Sequence, residues 1–157
     1  MYEKYKQFLH NESEAENDAI WHDELVFFQI DGAEKEVSYV ENELGIQLPQ
    51  DLRRFYNEIG YGFVCTNYDN LFNRLLSPIE IYDFYKGINE YENDERRGDC
   101  SLERNAIAFY EVSEDVFLTV KSDEQNQANI YYFDELIAES LMEFIDKMLE
   151  KPNYYLD

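Results

Sequence analysis

The stretch VENELGIQLPQDLRRFYNEIGYGF, Val40 to Phe63, reads as the end of one helix, a tight break, a second helix and another break. Upstream, Val37, Val40 and Leu44 recur at i, i+3 and i+7 with Glu34, Glu36, Glu41 and Glu43 between them, the spacing of an amphipathic helix. Gly45 suits the left-handed residue that ends such a helix. Pro49 is tolerated in a first helical turn, where its missing N–H has no partner to lose, so a second helix starts around it. Leu52, Phe55, Tyr56 and Ile59 form that helix's apolar stripe. Gly60 and Gly62 close it and open FVCTNY, whose Phe63, Val64 and Thr66 favour a strand. The segment specifies architecture and contains no obvious catalytic group.

The same reasoning extends in both directions. Tyr2, Tyr5, Phe8 and Leu9 at helical spacing predict a short N-terminal helix, and SEAEND a solvated acidic loop. The run IWHDELVFFQIDGAEKE holds Trp21, Leu25, Val26, Phe27, Phe28 and Ile30, too apolar for a free linker, and is expected to be extended and packed on the main domain. LSPIEIYDFYKGINEY places Ser77 as N-cap, Pro78 at the first helical position and Glu80 three residues after the cap. AIAFYEV, DVFLTVK and NIYYFD read as an antiparallel meander, and Ile137, Leu141, Phe144, Ile145 and Met148 as the stripe of a terminal helix stopped by Pro152. Helices are thus predicted over 34–44, 50–59, 78–91 and 136–150, covering one mainly antiparallel sheet that contains 106–133. The class is α+β in a single domain over 1–157, with 1–32 an N-terminal helix and extended segment, 33–150 the core and 151–157 a tail.

Charge is the compositional outlier. Lys and Arg total 13 against 35 Asp and Glu, a net charge of -22. Such a balance disfavours phosphate backbones and anionic membranes as partners, and suits either plain solubility or a surface built to meet a basic protein. Hydrophobic residues at 45% and aromatics at 17% exclude whole-chain disorder. The start lacks the apolar run of a secretory signal and no segment approaches a membrane span, so a cytoplasmic location is expected. Cys65 and Cys100 lack CxxC spacing and are expected to be reduced, partly buried thiols.

The pattern of helix, ELGIQLPQDLRRFYNEIGYGF, strand, LLSPIEIYDF, meander and terminal helix resembles the SUKH superfamily, which includes bacterial immunity proteins and the yeast cell-wall synthesis regulator. Leu44, Gly45, Leu48, Pro49, Phe55, Ile59, Gly60 and Gly62 carry the likeness, with Leu76, Ser77, Pro78 and Glu80 at the expected distance. It covers about Ala33 to Leu149 and departs from the family's pattern at Leu52 and at Tyr61–Gly62. The resemblance implies a SUKH-like fold and an intracellular protein that binds and neutralises a toxin of a polymorphic toxin system, commonly a nuclease.

Chemistry-bearing patterns are sparse. His10 and His22 have no metal-ligand spacing, and neither GxGxxG nor a P-loop occurs, so no metal and no cofactor is expected. Paired acids such as Asp94–Glu95, Glu114–Asp115 and Asp134–Glu135 carry little information among so many carboxylates. Tyrosines interleaved with acids are more telling: NYDN, IYDFY and NIYYFDE combine large, stiff contact area with groups that grip Lys or Arg. The expected partner-binding residues are Tyr68, Asp69, Glu80, Tyr82, Glu114 and Asp115, with Tyr61 and Phe63 shaping the site at the glycine break. The leading reading is a non-enzymatic immunity protein that binds a basic toxin, with neither direct nucleic-acid nor membrane binding. The alternative is an intracellular regulatory adaptor using the same fold, and a third possibility is a small acidic hydrolase.

Overall fold

The computed structural model describes residues 1–65, 71–98, 100 and 106–156. Eight strands form one sheet whose spatial order follows the chain: β1 (Leu9–His10), β2 (Leu25–Phe28), β3 (Tyr61–Val64), β4 (Arg74–Leu75), β5 (Ile107–Glu111), β6 (Phe117–Ser122), β7 (Ala128–Tyr132) and β8 (Glu135–Ala138). Every pairing is antiparallel except β1 with β2. Among the described residues four α-helices accompany it: α1 (Ala33–Leu44), α2 (Gln50–Glu58), α3 (Pro78–Lys86) and α4 (Leu141–Glu150). The architecture is the α+β class expected.

The helix-break-helix segment behaves as its residues dictate. Gly45 ends α1 at φ 65°, and its N–H donates to the Glu41 carbonyl. Pro49 precedes α2 directly, and Leu52, Phe55, Tyr56 and Ile59 are buried. Gly60 and Gly62 do more than end the helix. At φ of 136° and 153° a Cβ on either would drive into the backbone of β2, at the carbonyl oxygens of Phe28 and Val26 respectively. Glycine is required there because β3 presses its backbone against β2.

Three expected boundaries move. Helix α3 stops at Lys86, because Gly87 adopts φ 67° as its left-handed cap, and 89–91 is a separate 3-10 turn. The expected 136–150 helix is two elements: Ile137 belongs to β8, and α4 starts only after Ser140, whose Oγ accepts from Glu143 N at 3.1 Å. Helical spacing from Ile137 to Leu141 is coincidental, since both are buried on one side of different elements. The N-terminus forms 3-10 turns over Glu3–Phe8, Glu12–Glu16 and Asp18–His22 in place of one helix and a loop.

The extended segment before α1 is a full member of the sheet. All four residues of β2 are buried, and it pairs with β3 over Leu25↔Val64 to Phe28↔Tyr61. Its alternate side chains enter different clusters. Leu25 and Phe27 join the main core, where Phe27, Tyr2, Tyr5 and Phe55 form edge-on ring contacts at 5.1–6.2 Å. Val26 and Phe28 face the other way and pack with Ile20, Trp21, Tyr61 and Phe63. The main core continues through the Leu141, Phe144, Ile145 and Met148 stripe of α4, with Phe144 set edge-on against Tyr110 at 5.1 Å. The tail also docks: Asn153 and Tyr155 are buried, and Tyr155 lies against Tyr132 at 5.2 Å. Cys65 and Cys100 are not joined to each other, and both are buried rather than partly so.

Candidate partner-binding face

Pairing register places Val26, Phe63, Arg74, Glu111 and Phe117 in one row across five strands. This row lies on the side of the sheet that carries the small Val26–Phe28 cluster. It lines three depressions. The first, of about 740 Å³, is a cleft bounded by the N-terminal turns, the start of α1 and the start of α3. A second, of about 470 Å³, shares Trp21, Phe63 and Arg74 with it. The third, of about 350 Å³, adjoins across Arg96 and holds Asp115, Phe117, Lys121, Tyr131 and Phe133. Exposed apolar side chains, Ile79, Phe72 and Phe133, contribute one to each region.

Aromatic rings wall the cleft. Trp21 sits edge-on to Phe63 at 5.1 Å and tilted against Phe28 at 6.1 Å, and its Nε1 donates to the Ala15 carbonyl at 2.8 Å. Tyr61 lies beside Phe28 at 5.7 Å, and its hydroxyl donates to Glu12 at 2.7 Å. The rest of the lining is rich in acids. Glu36, half-buried on α1, accepts from Ile79 N at 3.3 Å, and burial raises its pKa, helped by the neighbouring Glu80 and Glu12. Glu80 completes the expected capping box, with Ser77 N donating to Oε1 at 3.0 Å and Glu80 N donating to Ser77 Oγ at 3.3 Å. Its other oxygen lies 3.1 Å from Arg74 Nη1, yet burial still raises its pKa.

Arg74 is the hub of the face. Nη2 reaches Glu111 at 3.0 Å, Glu90 at 3.2 Å and the Tyr91 hydroxyl at 2.6 Å. Burial alone would lower its pKa, and the surrounding Glu80, Tyr91, Glu111 and Glu90 outweigh that and raise it. Glu111 also meets Arg96 at 2.9 Å, and Arg96 forks onto Asp94 through Nε and Nη2 at 2.9 and 2.6 Å while stacking over Phe117 at 4.3 Å. Both guanidinium groups are thus already ion-paired to carboxylates, while Arg74 Nε has no hydrogen-bond partner among the described residues and Arg96 Nη1 donates to the Ser113 carbonyl.

Of the sequence-predicted site residues, Tyr61, Phe63 and Glu80 meet in the cleft. Tyr82 lies elsewhere on α3, against Tyr39 at 5.6 Å with Lys86 over its ring. Glu114 and Asp115 are exposed on the β5–β6 turn, and Asp115 borders the third depression. Tyr68 and Asp69 lie outside the described residues. Sequence reasoning missed Glu12, Trp21, Phe28, Glu36 and Arg74 as lining residues. The available signal was Trp21, the one tryptophan of the chain, in a segment too apolar for a linker. His10, which shows no metal-ligand spacing in the sequence, is half-buried with Nδ1 3.2 Å from Glu14, because strand β1 draws it against β2.

These shifts fix the sign of the pH dependence. A carboxyl whose folded pKa is raised binds its proton more tightly in the fold, so its contribution is present below the ordinary carboxylate pKa and lost as pH rises through the folded value. Glu36 and Glu80 are of that kind, and the opposite group, Asp94, is depressed by its Arg96 hydrogen bond and loses its contribution only at strongly acid pH. Thermal melting is therefore expected at a higher temperature at about pH 5.5 than at about pH 7.5. Glu36→Gln should flatten the difference, and a melting temperature that rises from the first pH to the second would contradict this account.

With the geometry in place, comparison with known proteins is decisive on kinship. Residues 31–147 match the SMI1 / KNR4 family (SUKH-1). The chain belongs to that family. It is also 38% identical over 126 residues to a protein of Bacillus subtilis (strain 168) named immunity protein YxxD, covering 79% of this chain and 84% of the relative. No solved structure matches. Among the described residues no helix is long and apolar enough to cross a membrane.

Proposed function

We propose that this SUKH-1 protein is a non-enzymatic immunity protein that binds and neutralises a cognate toxin domain, a basic nuclease, through the acidic, aromatic face around the cleft. Kinship to a named immunity protein supports the role. The observation that supports the mechanism is the row from Phe63 to Phe117: its arginines are internally paired, so beside Lys121 the charge around it is mainly that of Glu12, Asp31, Glu36 and Asp115, with the exposed Glu114 next to the last. A nuclease attracts phosphate with Lys and Arg, and a protein of net charge -22 competes for that surface. In this reading Tyr61, Phe63 and Glu80 contribute from the cleft, Tyr82, Glu114 and Asp115 from its flanks, and Tyr68 and Asp69 complete the set. The carboxylates act by recognition rather than turnover.

Co-expression with the toxin domain encoded beside its gene tests the role, scored by cell survival. Protection is expected, and a failure to protect or to co-purify with that toxin would remove the immunity reading. The mechanism has its own measurement. The double substitution Glu114→Lys and Asp115→Lys should lower the association rate about ten-fold at low salt and leave dissociation nearly unchanged, with the difference fading at high salt. Rates insensitive to both the substitution and salt would refute the acidic-face mechanism while leaving the role standing.

A further inference from the structure

Among the described residues four carboxylates line the cleft, those of Glu12, Asp31, Glu36 and Glu80, and the one guanidinium in that lining is Arg74. Arg74 is occupied by Glu80, Glu90 and Glu111. Among the described residues the remaining charge has no cationic partner within the cleft's own lining. The same lining holds Trp21, Tyr61 and Phe63, whose π faces are electron-rich. Carboxylates and aromatic rings around one cleft form an arrangement that holds a planar cation, by charge-assisted hydrogen bonds to the acids and stacking on the rings. An anion is repelled from such a site, and a purely apolar group leaves Glu36 desolvated and unpaired.

We infer that the cleft lined by Trp21, Tyr61, Phe63, Glu36 and Glu12 is the seat of an arginine side chain of the protein partner. Arginine fits better than lysine. Its guanidinium is flat enough to lie along an indole or phenol ring, is weakly hydrated, and presents several donors at once. The volume, about 740 Å³, exceeds one side chain and accommodates the backbone that carries it. Glu36 is the central acceptor, since one of its oxygens is fixed by Ile79 N and its charge is half-withdrawn from water. Glu12 and Tyr61, already joined at 2.7 Å, make the rim. The inference rests on the reading of this face as a protein-binding surface and names the group it takes.

The test requires no toxin. The chain has a single tryptophan, and it lines the cleft, so its fluorescence reports occupancy directly. Titration of the full chain with the capped peptide Gly-Arg-Gly at low salt should give a saturable change in Trp21 emission, with a dissociation constant on the order of millimolar. The peptide with citrulline in place of arginine, alike in shape and uncharged, should bind about ten-fold more weakly, and lysine should fall between. Glu36→Gln keeps an acceptor for Ile79 N and should weaken arginine binding by about ten-fold, whereas Glu135→Gln on β8 should not. Glu12→Gln, at an exposed position, supplies the same comparison if the Glu36 variant melts early. No saturable response at tens of millimolar, citrulline binding equal to arginine, or indifference to both cleft variants would overturn the assignment. Because survival and peptide binding are measured separately, a chain that seats arginine but does not protect rejects the immunity reading alone. A chain that protects but ignores the peptide rejects the arginine seat alone.

Discussion

Arg74→Ala is expected to lower the unfolding free energy by about 3 kcal/mol, although no apolar packing is removed to speak of. The reason lies in what is left behind. Glu111 is 5% exposed, and the substitution strips it of one of its two guanidinium partners. Glu80, tied to the first turn of α3 by its capping box, loses the guanidinium that lies 3.1 Å from it. The Tyr91 hydroxyl, 2.6 Å from Nη2, is orphaned in a buried position. Removing one member of a buried ionic network costs far more than the network contributes relative to apolar residues, because uncompensated charge stays in a poorly solvated place. Arg74→Lys should recover only part of the loss, since a single ammonium cannot address Glu80, Glu90 and Glu111 as the planar fork does. Urea denaturation followed by circular dichroism measures both variants. A loss under about 1 kcal/mol for alanine would mean that water screens the network, and the paired-arginine basis of the acidic face would fall with it.

How far such residues are legible in sequence depends on whether their partners are local. Gly45, Pro49, Ser77 with Glu80, and the stripes of α2 and α4 announce themselves because caps and amphipathic periods are satisfied within one helix turn or one face. The failures have non-local causes. Ile137 sits at helical spacing from Leu141, yet its strand is selected by pairing with β7. The IWHDELVFFQI segment shows its apolarity but not its place, because β2 is defined by register with β3 across more than thirty residues of chain. The cleft was half visible for the same reason. Tyr61, Phe63 and Glu80 flank the glycine break and the cap, where local signals point, while Trp21, Glu36 and Arg74 reach it only through the sheet. Asp115 and Tyr82 were linked to them by composition; the fold sets Asp115 at the border of the third depression and Tyr82 elsewhere on α3, against Tyr39.

The residue least readable in sequence should prove among the costliest to change. Asp51 lies in the first turn of α2 among thirty-five acidic residues, with nothing to separate it from a solvated one. In the fold it is 3% exposed, and its carboxylate accepts three backbone N–H bonds: from Leu52 at 3.0 Å, from Ala128 at the head of β7 at 2.8 Å, and from Leu141 at the head of α4 at 2.9 Å. Its own carbonyl accepts from the Tyr2 hydroxyl at 2.9 Å. One residue thereby fastens together α2, β7 and α4 through its side chain and the N-terminal segment through its backbone carbonyl. Burial raises its pKa, and the hydrogen bonds from Leu141, Ala128 and Leu52 oppose that shift, as does the favourable position of a negative charge at two helix N-termini. Asp51→Ala leaves the N–H groups of Ala128 and Leu141 buried without acceptors, each worth about 1–3 kcal/mol. The expected loss is about 3–4 kcal/mol, or a fall of about 10 °C in melting temperature for a domain of this size. Asp51→Asn should recover little, because its amide offers one acceptor where two oxygens are used and turns its NH₂ towards a backbone donor. Calorimetry on the two variants decides the matter: a fall of less than about 3 °C for alanine would show that water takes over the freed N–H groups, and that the junction of α2, β7 and α4 is held by its apolar stripe alone.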